Sequence, residues 1–368
     1  MLKKVQYHFV VLFCLSFLLS ACKKEQVVGG ISNRKAELGK KIFFDKRLSN
    51  PEGQACASCH APEKAFSDPL GSLISEGAVK GLFGKRNGPS IMYAMFTPPL
   101  NYNADDSTYV GGLFLDGRTN SLQEQALKPF LSNVEMNMKD VHAIVAKVKN
   151  ADYYNELTTL YGNSVSDDVL MSYVADAIAN FEQSQAFRPF SSKYDFYLKG
   201  QAQLTPQELN GLKLFQDTAK GKCANCHITD RDEVAGNALF TDFTYDNVGV
   251  PKNNNSPFLQ LGPPFNDLGI NFIDYGLAVT VNSPAENGKF KVPTLRNVAV
   301  TAPYFHNGFY TTLEEAVHFY NSRDVDPTIP KPEVPMNVNK DKLGNLKLTP
   351  QEEADIVAFL KTLTDGYK

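Results

Sequence analysis

Cys56-Ala57-Ser58-Cys59-His60, a Cys-x-x-Cys-His pattern, occurs a second time in the 368-residue chain as Cys223-Ala224-Asn225-Cys226-His227. Two thiols at this spacing can form thioethers with the two vinyl groups of one porphyrin, and the adjoining histidine then lies beneath the iron. The pattern therefore predicts two covalently attached c-type haems, held by Cys56, Cys59 and His60 and by Cys223, Cys226 and His227. The alternatives are a redox-active Cys-x-x-Cys pair and half of a zinc site.

The N-terminus has the pattern of a bacterial export signal. Two lysines precede an apolar stretch over residues 9–19, which is too short to span a bilayer comfortably. Leu19-Ser20-Ala21-Cys22 closes this stretch and resembles a lipobox, whose cysteine becomes the lipid-bearing first residue after cleavage. We therefore expect a signal peptide over 1–21, a lipidated tether over 22–33 and a globular part on the periplasmic side of a bacterial membrane. Simple cleavage and a retained membrane anchor are the alternatives.

The rest of the chain divides into two similar halves. Gly39-Lys40-Lys41-Ile42-Phe43-Phe44-Asp45 parallels Gly211-Leu212-Lys213-Leu214-Phe215-Gln216-Asp217, and each stretch precedes a haem motif. Apolar residues recur there at helical spacing, which is typical of the helix that leads into the haem loop of a cytochrome c fold. We expect a mainly α protein with two cytochrome c-like haem domains, over 34–188 and 189–368, because Arg188-Pro189 interrupts a helical pattern.

Two further stretches predict helix starts. Leu204-Thr205-Pro206-Gln207-Glu208 and Leu348-Thr349-Pro350-Gln351-Glu352 each offer threonine as N-cap, proline at the first helical position and glutamate at the third. We expect the apolar face of the last helix, formed by Ile356, Val357, Leu360 and Leu363, to pack over the second haem domain.

Several stretches around the two motifs resemble the bacterial dihaem cytochrome c peroxidase and MauG family over nearly the whole mature chain. They are Arg86-Asn87-Gly88-Pro89-Ser90, Leu115-Asp116-Gly117-Arg118, Gln125-Ala126-Leu127-Lys128-Pro129, Val134-Glu135-Met136, Asn247-Val248-Gly249-Val250-Pro251, Pro293-Thr294-Leu295-Arg296-Asn297 and Thr301-Ala302-Pro303-Tyr304-Phe305-His306-Asn307-Gly308. The resemblance implies that the first haem meets hydrogen peroxide and that the second relays and stores electrons. It also implies a calcium ion between the domains and a small electron donor, such as a cytochrome c or a cupredoxin. The net charge of −3 without a basic stripe gives no indication of nucleic acid as a partner.

The positions of the histidines indicate which residues bind each haem iron. His60 and His227 are the expected proximal ligands, and residues 61–86 contain no histidine, although family peroxidases place a displaceable one there. We therefore expect an open, high-spin first iron. On the second iron, family spacing from His306 leads to Tyr320 as the other ligand, a position where peroxidases have methionine and MauG-type enzymes have tyrosine. Met336 and His318 remain alternatives.

The resemblance also assigns catalytic residues. Glu135 would move a proton between the two oxygens of bound peroxide, Gln125 would orient the peroxide, and Pro129 would shape the pocket. The alternative is that Glu135 and Gln125 are ordinary surface residues, which is the usual fate of these residue types.

Further residues are expected to contact the cofactors. Haem propionates would be bound by Arg118, Arg296 and His306, since guanidinium and imidazole groups pair with carboxylates. The resemblance implies that calcium is bound by the Asn87 side chain and the carbonyls of Thr301 and Pro303, and oxygen ligands of this kind suit a hard cation. The alternative is that Asn87, Thr301 and Pro303 only shape turns between the domains.

One departure from the family is the complete absence of tryptophan. Characterised members hold a tryptophan between the haems, at the position that Leu115 occupies here, so electrons would tunnel directly or use Tyr93 or Phe114. The insert over 97–112 is expected to cover the haem crevice. The sequence therefore predicts a peroxidase that reduces hydrogen peroxide to water. A MauG-type oxidase of a partner protein and a non-enzymatic electron carrier are the alternatives.

Overall fold

A computed structural model describes residues 31–163 and 166–368. The predicted signal peptide, Cys22 and most of the predicted tether lie outside these residues. Residues 31–33, which form the end of that tether, already belong to the first helix. Within the described part, no helix is long and apolar enough to cross a membrane.

The fold is mainly α, as predicted. Its helices are α1 (31–43), α2 (Cys56–Cys59), α3 (Leu122–Leu131), α4 (Val141–Lys149), α5 (Tyr154–Tyr161), α6 (Asp167–Glu182), α7 (Lys193–Leu198), α8 (Pro206–Gln216), α9 (Leu277–Val281), α10 (Leu313–Ser322) and α11 (Pro350–Lys361). Two antiparallel strand pairs join β1 (Asn101–Asn103) to β2 (Thr108–Val110) and β3 (Tyr245–Asp246) to β4 (Phe290–Lys291). Short 3-10 helices lie at Lys46–Leu48, Pro62–Lys64, Ala94–Phe96, Gln185–Phe187, Cys223–Asn225, Pro257–Gln260, Gly269–Asn271, Pro284–Glu286 and Val298–Val300.

The two predicted helix starts are confirmed at α8 and α11. The hydroxyl of Thr205 accepts a hydrogen bond from the backbone N–H of Glu208, whose carboxylate accepts one from the Thr205 N–H. Thr349 and Glu352 close the same reciprocal pair on α11. Each pair satisfies two backbone donors that the first helical turn would otherwise leave free.

In each half, two helices cross at a glycine. A Cβ atom on Gly39 of α1 would lie 1.9 Å from the carbonyl oxygen of Ala177 on α6, and one on Gly211 of α8 would lie 1.9 Å from that of Asp355 on α11. Only glycine allows backbones to approach so closely. The repeat seen in the sequence is therefore a repeat of helix crossings.

The apolar side chains form a core for each half. One buried cluster comprises residues between Leu38 and Phe187 together with Leu239. The other runs from Tyr194 to Leu363 and includes the predicted face of α11. The domain boundary near Arg188-Pro189 stays a prediction; Phe190, just beyond it, still packs against the first cluster, and Tyr194 belongs to the second.

The two halves exchange backbone hydrogen bonds. The N–H of Asn87 donates to the carbonyl of His306 over 2.8 Å, and the N–H of Lys291 donates to the carbonyl of Leu115 over 2.9 Å. The insert over 97–112 contains the β1–β2 hairpin, and Val110 at its end bridges to Thr244 beside β3. Backbone segments of the two halves are therefore joined directly to each other.

Candidate functional site

Both motif histidines are held by a backbone carbonyl. Nδ1 of His60 lies 3.1 Å from the Phe66 oxygen, and Nδ1 of His227 lies 2.9 Å from the Phe240 oxygen. Both phenylalanines have left-handed backbones, with φ of 53° and 55°, which turn these carbonyls toward the rings. Burial lowers the pKa of both histidines, so each ring is neutral and can present Nε2 to a metal.

The four motif thiols are free and half-buried. Burial raises the pKa of Cys223 to about 12 and that of Cys226 to about 11, so both remain protonated thiols at neutral pH. Across residues 31–163 and 166–368, no group of three or more His, Cys, Asp or Glu side chains is arranged to hold a metal ion. Within these ranges neither motif has the additional protein ligands of a structural zinc site.

The second motif opens into a cavity of about 280 Å³. Its walls include Cys223, Cys226 and His227, and its remaining lining is largely apolar, with Leu313, Val317, Leu346, Leu348, Ile356 and Leu360. A buried slot with two thiols and a neutral imidazole on one wall suits a covalently bound porphyrin. Nε2 of His306, which also lines this cavity, lies 3.7 Å from a carboxylate oxygen of Glu333 but has no hydrogen-bond partner in the described structure, so a polar group of the haem could satisfy it.

Of the three candidates for the second ligand of this haem, Tyr320 lines the cavity. It lies on α10, and burial raises the pKa of its phenol. The side chain of Met336 is 52% exposed. His318 turns outward, with Nδ1 3.0 Å from a carboxylate oxygen of Glu353. The ligand role of Tyr320 stays a prediction.

The structure reveals a second internal repeat, which sequence reasoning missed. Residues 113–130 match residues 304–321. Bridges join Leu113 to Thr119 and Tyr304 to Tyr310, and Phe114 and Phe305 both have left-handed backbones. The signal in the sequence was Ser121-Leu122-x-Glu124 against Thr312-Leu313-x-Glu315, the caps of α3 and α10.

This repeat relates the catalytic candidates to the second haem cavity. In α3, Pro129 stands where α10 has Tyr320, and Gln125 stands where α10 has Ala316. Ala316 and Tyr320 both line the second cavity. The repeat therefore predicts that Gln125 and Pro129 face the first haem, and proline offers no side-chain atom that could bind iron.

Glu135 lies just beyond α3, close to the first motif. Its carbonyl accepts a hydrogen bond of 2.7 Å from the N–H of Ala78, and its carboxyl interacts electrostatically with the Cys59 thiol. Burial raises the pKa of Glu135, although Ser132 and Arg118 oppose the shift. The loop that contains Val79, where family peroxidases place their displaceable histidine, therefore packs directly against Glu135.

The arginines predicted to bind propionates are engaged with aspartates. Arg296 is buried and donates two hydrogen bonds, of 3.0 and 2.9 Å, to the carboxylate of Asp195. Arg118 is partly exposed and donates to Asp116 over 2.7 Å, with its guanidinium 3.4 Å from the centre of the Phe114 ring. Contacts of either arginine with a propionate stay predictions, as does that of His306, which stacks on Phe290 at 3.8 Å.

The three residues predicted to hold calcium all line the cavity of the second motif. The Asn87 side-chain amide donates to the carbonyls of Ser72 and Leu73, which leaves its oxygen directed elsewhere. Thr301 and Pro303 follow the short helix Val298–Val300. The calcium site stays a prediction.

A buried charge network between the halves escaped the sequence reasoning. Arg86 donates two hydrogen bonds to Asp274 and forms an ion pair of 2.6 Å with Asp116. Burial opposes ionisation of Asp274, but Arg86 holds its pKa well below the usual value. Nearby, burial lowers the pKa of Lys291 to about 8. Asp274 gave no sequence signal because its partner is 188 positions away in the chain.

Comparison with known proteins agrees with this site. A family model described as di-haem cytochrome c peroxidase matches residues 33–203. The chain is 36% identical to the methylamine utilization protein MauG of Paracoccus denitrificans, covering 95% of this chain and 94% of that protein. It is 31% identical to the cytochrome c551 peroxidase of Nitrosomonas europaea, covering 89% and 79%. Among solved structures, the diheme peroxidase BthA from Burkholderia thailandensis matches with a TM-score of 0.80 and 35% identity, covering 90% and 86%.

Proposed function

Because the chain belongs to the di-haem cytochrome c peroxidase and MauG family and is therefore an oxidoreductase with two c-type haems, we propose that it reduces hydrogen peroxide to water at its first haem. The observation that carries this proposal is Pro129 at the position where the second half has Tyr320. Proline has no side-chain atom that could bind a metal, so with the haem bound Pro129 would leave the iron accessible to peroxide.

The overall reaction consumes one hydrogen peroxide, two electrons and two protons and yields two water molecules. When bound, the haems supply the iron that binds peroxide and the store of electrons that reduces it. The chain supplies position and proton transfer. Glu135 moves a proton from the inner to the outer oxygen so that water can leave, and a carboxyl with a raised pKa is better suited to exchange that proton near neutral pH. The Gln125 amide orients the peroxide beside it.

Electrons would arrive from a small redox protein, such as a cytochrome c or a cupredoxin, by way of the second haem. Tyr320 on that haem would act as an anionic oxygen ligand, which favours the oxidised iron. A calcium ion held by Asn87, Thr301 and Pro303 would join the halves. We place the protein on the periplasmic side of a bacterial membrane, attached by a lipid on Cys22.

A MauG-type reaction, in which the oxidised haem pair modifies a partner protein, is the second candidate. Two observations favour it. Tyr320 lines the second cavity, where peroxidases of the family have methionine, and the relative of that name is similar over nearly the full length of both chains. Both candidates require the same open first haem, and they differ in where the electrons come from.

Paramagnetic resonance and rapid mixing of the fully ferric protein with peroxide test the proposal. We expect one high-spin and one low-spin haem, and a reaction with peroxide without prior reduction. Pro129→Tyr, which gives α3 the residue of α10, should remove the high-spin signal and block the reaction. Steady turnover with a reduced small redox protein separates a peroxidase from the MauG-type alternative. Two low-spin haems with no reaction in the ferric state would contradict the proposal.

A further inference from the structure

Glu182, the last residue of α6, is a buried acid that the proposed mechanism does not use. It is 5% exposed. No hydrogen bond or ion pair joins its carboxyl to any residue of the described ranges, whereas buried carboxyls in proteins are ordinarily paired. Something other than the neighbouring side chains must account for an acid at this position.

The helix crossings show what Glu182 faces. Phe181 on α6 packs against Gly39 as Phe359 on α11 packs against Gly211, so Glu182 corresponds to Leu360. Leu360 lines the cavity of the second haem motif. Glu182 also interacts electrostatically with the thiol of Cys56, the first cysteine of its own motif. The repeat and this interaction both direct the Glu182 carboxyl toward the haem of the first half.

We propose that Glu182 borders the first haem and takes up one proton from solvent when that haem gains one electron. The electron goes to the haem iron, and the proton forms one O–H bond on the carboxylate, so the charge of the buried site is unchanged. The proposal rests on the proposed function only in that this haem is the site of peroxide reduction. In this proposal Glu182 holds a proton beside the haem, whereas Glu135 moves a proton between the two oxygens of peroxide.

The direction of the coupling follows from electrostatics. An oxidised haem carries one more positive charge, which favours the carboxylate, and a reduced haem favours the neutral acid. Burial alone raises the pKa of Glu182 to about 8, so the group titrates near neutral pH. Between its two pKa values, the equilibrium constant for reducing the haem changes by about tenfold per pH unit, falling as the pH rises.

Glu135 is the other acid assigned to this haem whose pKa burial raises, so only the part of the dependence that the Glu182 variants remove is assigned to Glu182. Burial is the one cause of the Glu182 shift. Several charged side chains on α1, α3, α4 and α6 are each paired with a residue other than Glu182. The pairs are Lys35 with Asp176, Lys41 with Glu156, Lys147 with Glu52, His142 and Lys149 with Asp167, and Glu124 with the backbone of Asn120. Cys56 ceases to be titratable once it is a thioether.

The test is a redox titration of both haems in the holoprotein from about pH 6 to about pH 9, without peroxide. The variants are Glu182→Gln, which keeps the shape, and Glu182→Leu, which gives the residue of the second half and suits an apolar site. We expect the first haem of the wild type to show the pH dependence and both variants to weaken it by the same amount. The second haem, with Leu360 at this position, is the internal control and should be identical in all three proteins.

A first haem that keeps the wild-type pH dependence in both variants would overturn the proposal, as would a wild type without any. Peroxide reactivity of the ferric protein is measured separately on the same samples. A protein that fails to react with peroxide but shows the Glu182 dependence contradicts only the proposed function.

Discussion

Arg296→Met should destabilise the second half strongly. The guanidinium is 1% exposed and the Asp195 carboxylate 0%, and three donors are used, two on Asp195 and one on the Ala238 carbonyl at 2.7 Å. Met92 occupies the equivalent position of the first half, because it lies between Ser90 and the left-handed residue Tyr93, just as Arg296 lies between Thr294 and the left-handed residue Asn297. Methionine therefore suits this backbone.

The magnitude follows from what remains behind. Asp195 keeps hydrogen bonds from the N–H and hydroxyl of Ser192, but it loses its countercharge in a fully buried position. Removing one partner of a buried ion pair costs about 3–5 kcal/mol. We therefore expect the free energy of unfolding to fall by that amount.

The assay is urea unfolding of the holoprotein followed by circular dichroism, with the midpoint and slope compared between variants. Adding Asp195→Asn to Arg296→Met removes the unpaired charge while an amide oxygen still accepts from Ser192, so the double variant should recover part of the loss. The reasoning is refuted if the single variant loses less than about 1 kcal/mol, or if the double variant is less stable than the single one.

Tyr320→Phe should alter the low-spin signal and shift the potential of the second haem, whereas Met336→Leu should leave both unchanged; the opposite result in paramagnetic resonance would make Met336 the ligand. Glu135→Gln should slow cleavage of the peroxide bond by about a hundredfold to ten-thousandfold with little change in the resting spectrum; ordinary turnover with an artificial electron donor would reduce Glu135 to a structural residue. Arg86 holds the pKa of Asp274 down against burial, so this carboxylate contributes stability that is present above the unfolded pKa of about 3.9 and is lost as the pH falls through its lower folded value. Asp274→Asn should therefore flatten the acid side of a plot of unfolding midpoint against pH, and an unchanged acid side would show that other carboxylates control it.

Local chemistry made the haem motifs and the helix starts predictable. A Cys-x-x-Cys-His motif needs only five consecutive residues, and the caps at Thr205 and Thr349 need only one helical turn. The apolar face of α11 could be predicted from the sequence for the same reason.

Features that depend on distant parts of the chain were not predictable in this way. The role of Arg296 is set by Asp195, which lies 101 positions away, and a sequence gives no distance between them. Glu182 reads as an ordinary polar residue at the end of a helix until the crossing of α1 and α6 shows what it faces. The match of α3 to α10 was present in the sequence, but its meaning required the cavity beside Tyr320.

The backbone hydrogen bonds from Asn87 to His306 and from Lys291 to Leu115 connect the two halves of the molecule directly. Pro89, two positions after Asn87, has its backbone within hydrogen-bonding reach of His60, and Asn87 and Pro89 both line the second cavity. Thermodynamic reciprocity then requires that any change of binding at one haem caused by the state of the other be matched by an equal change in the reverse direction. Separating the halves would break these bonds and remove the contact through which any such coupling passes.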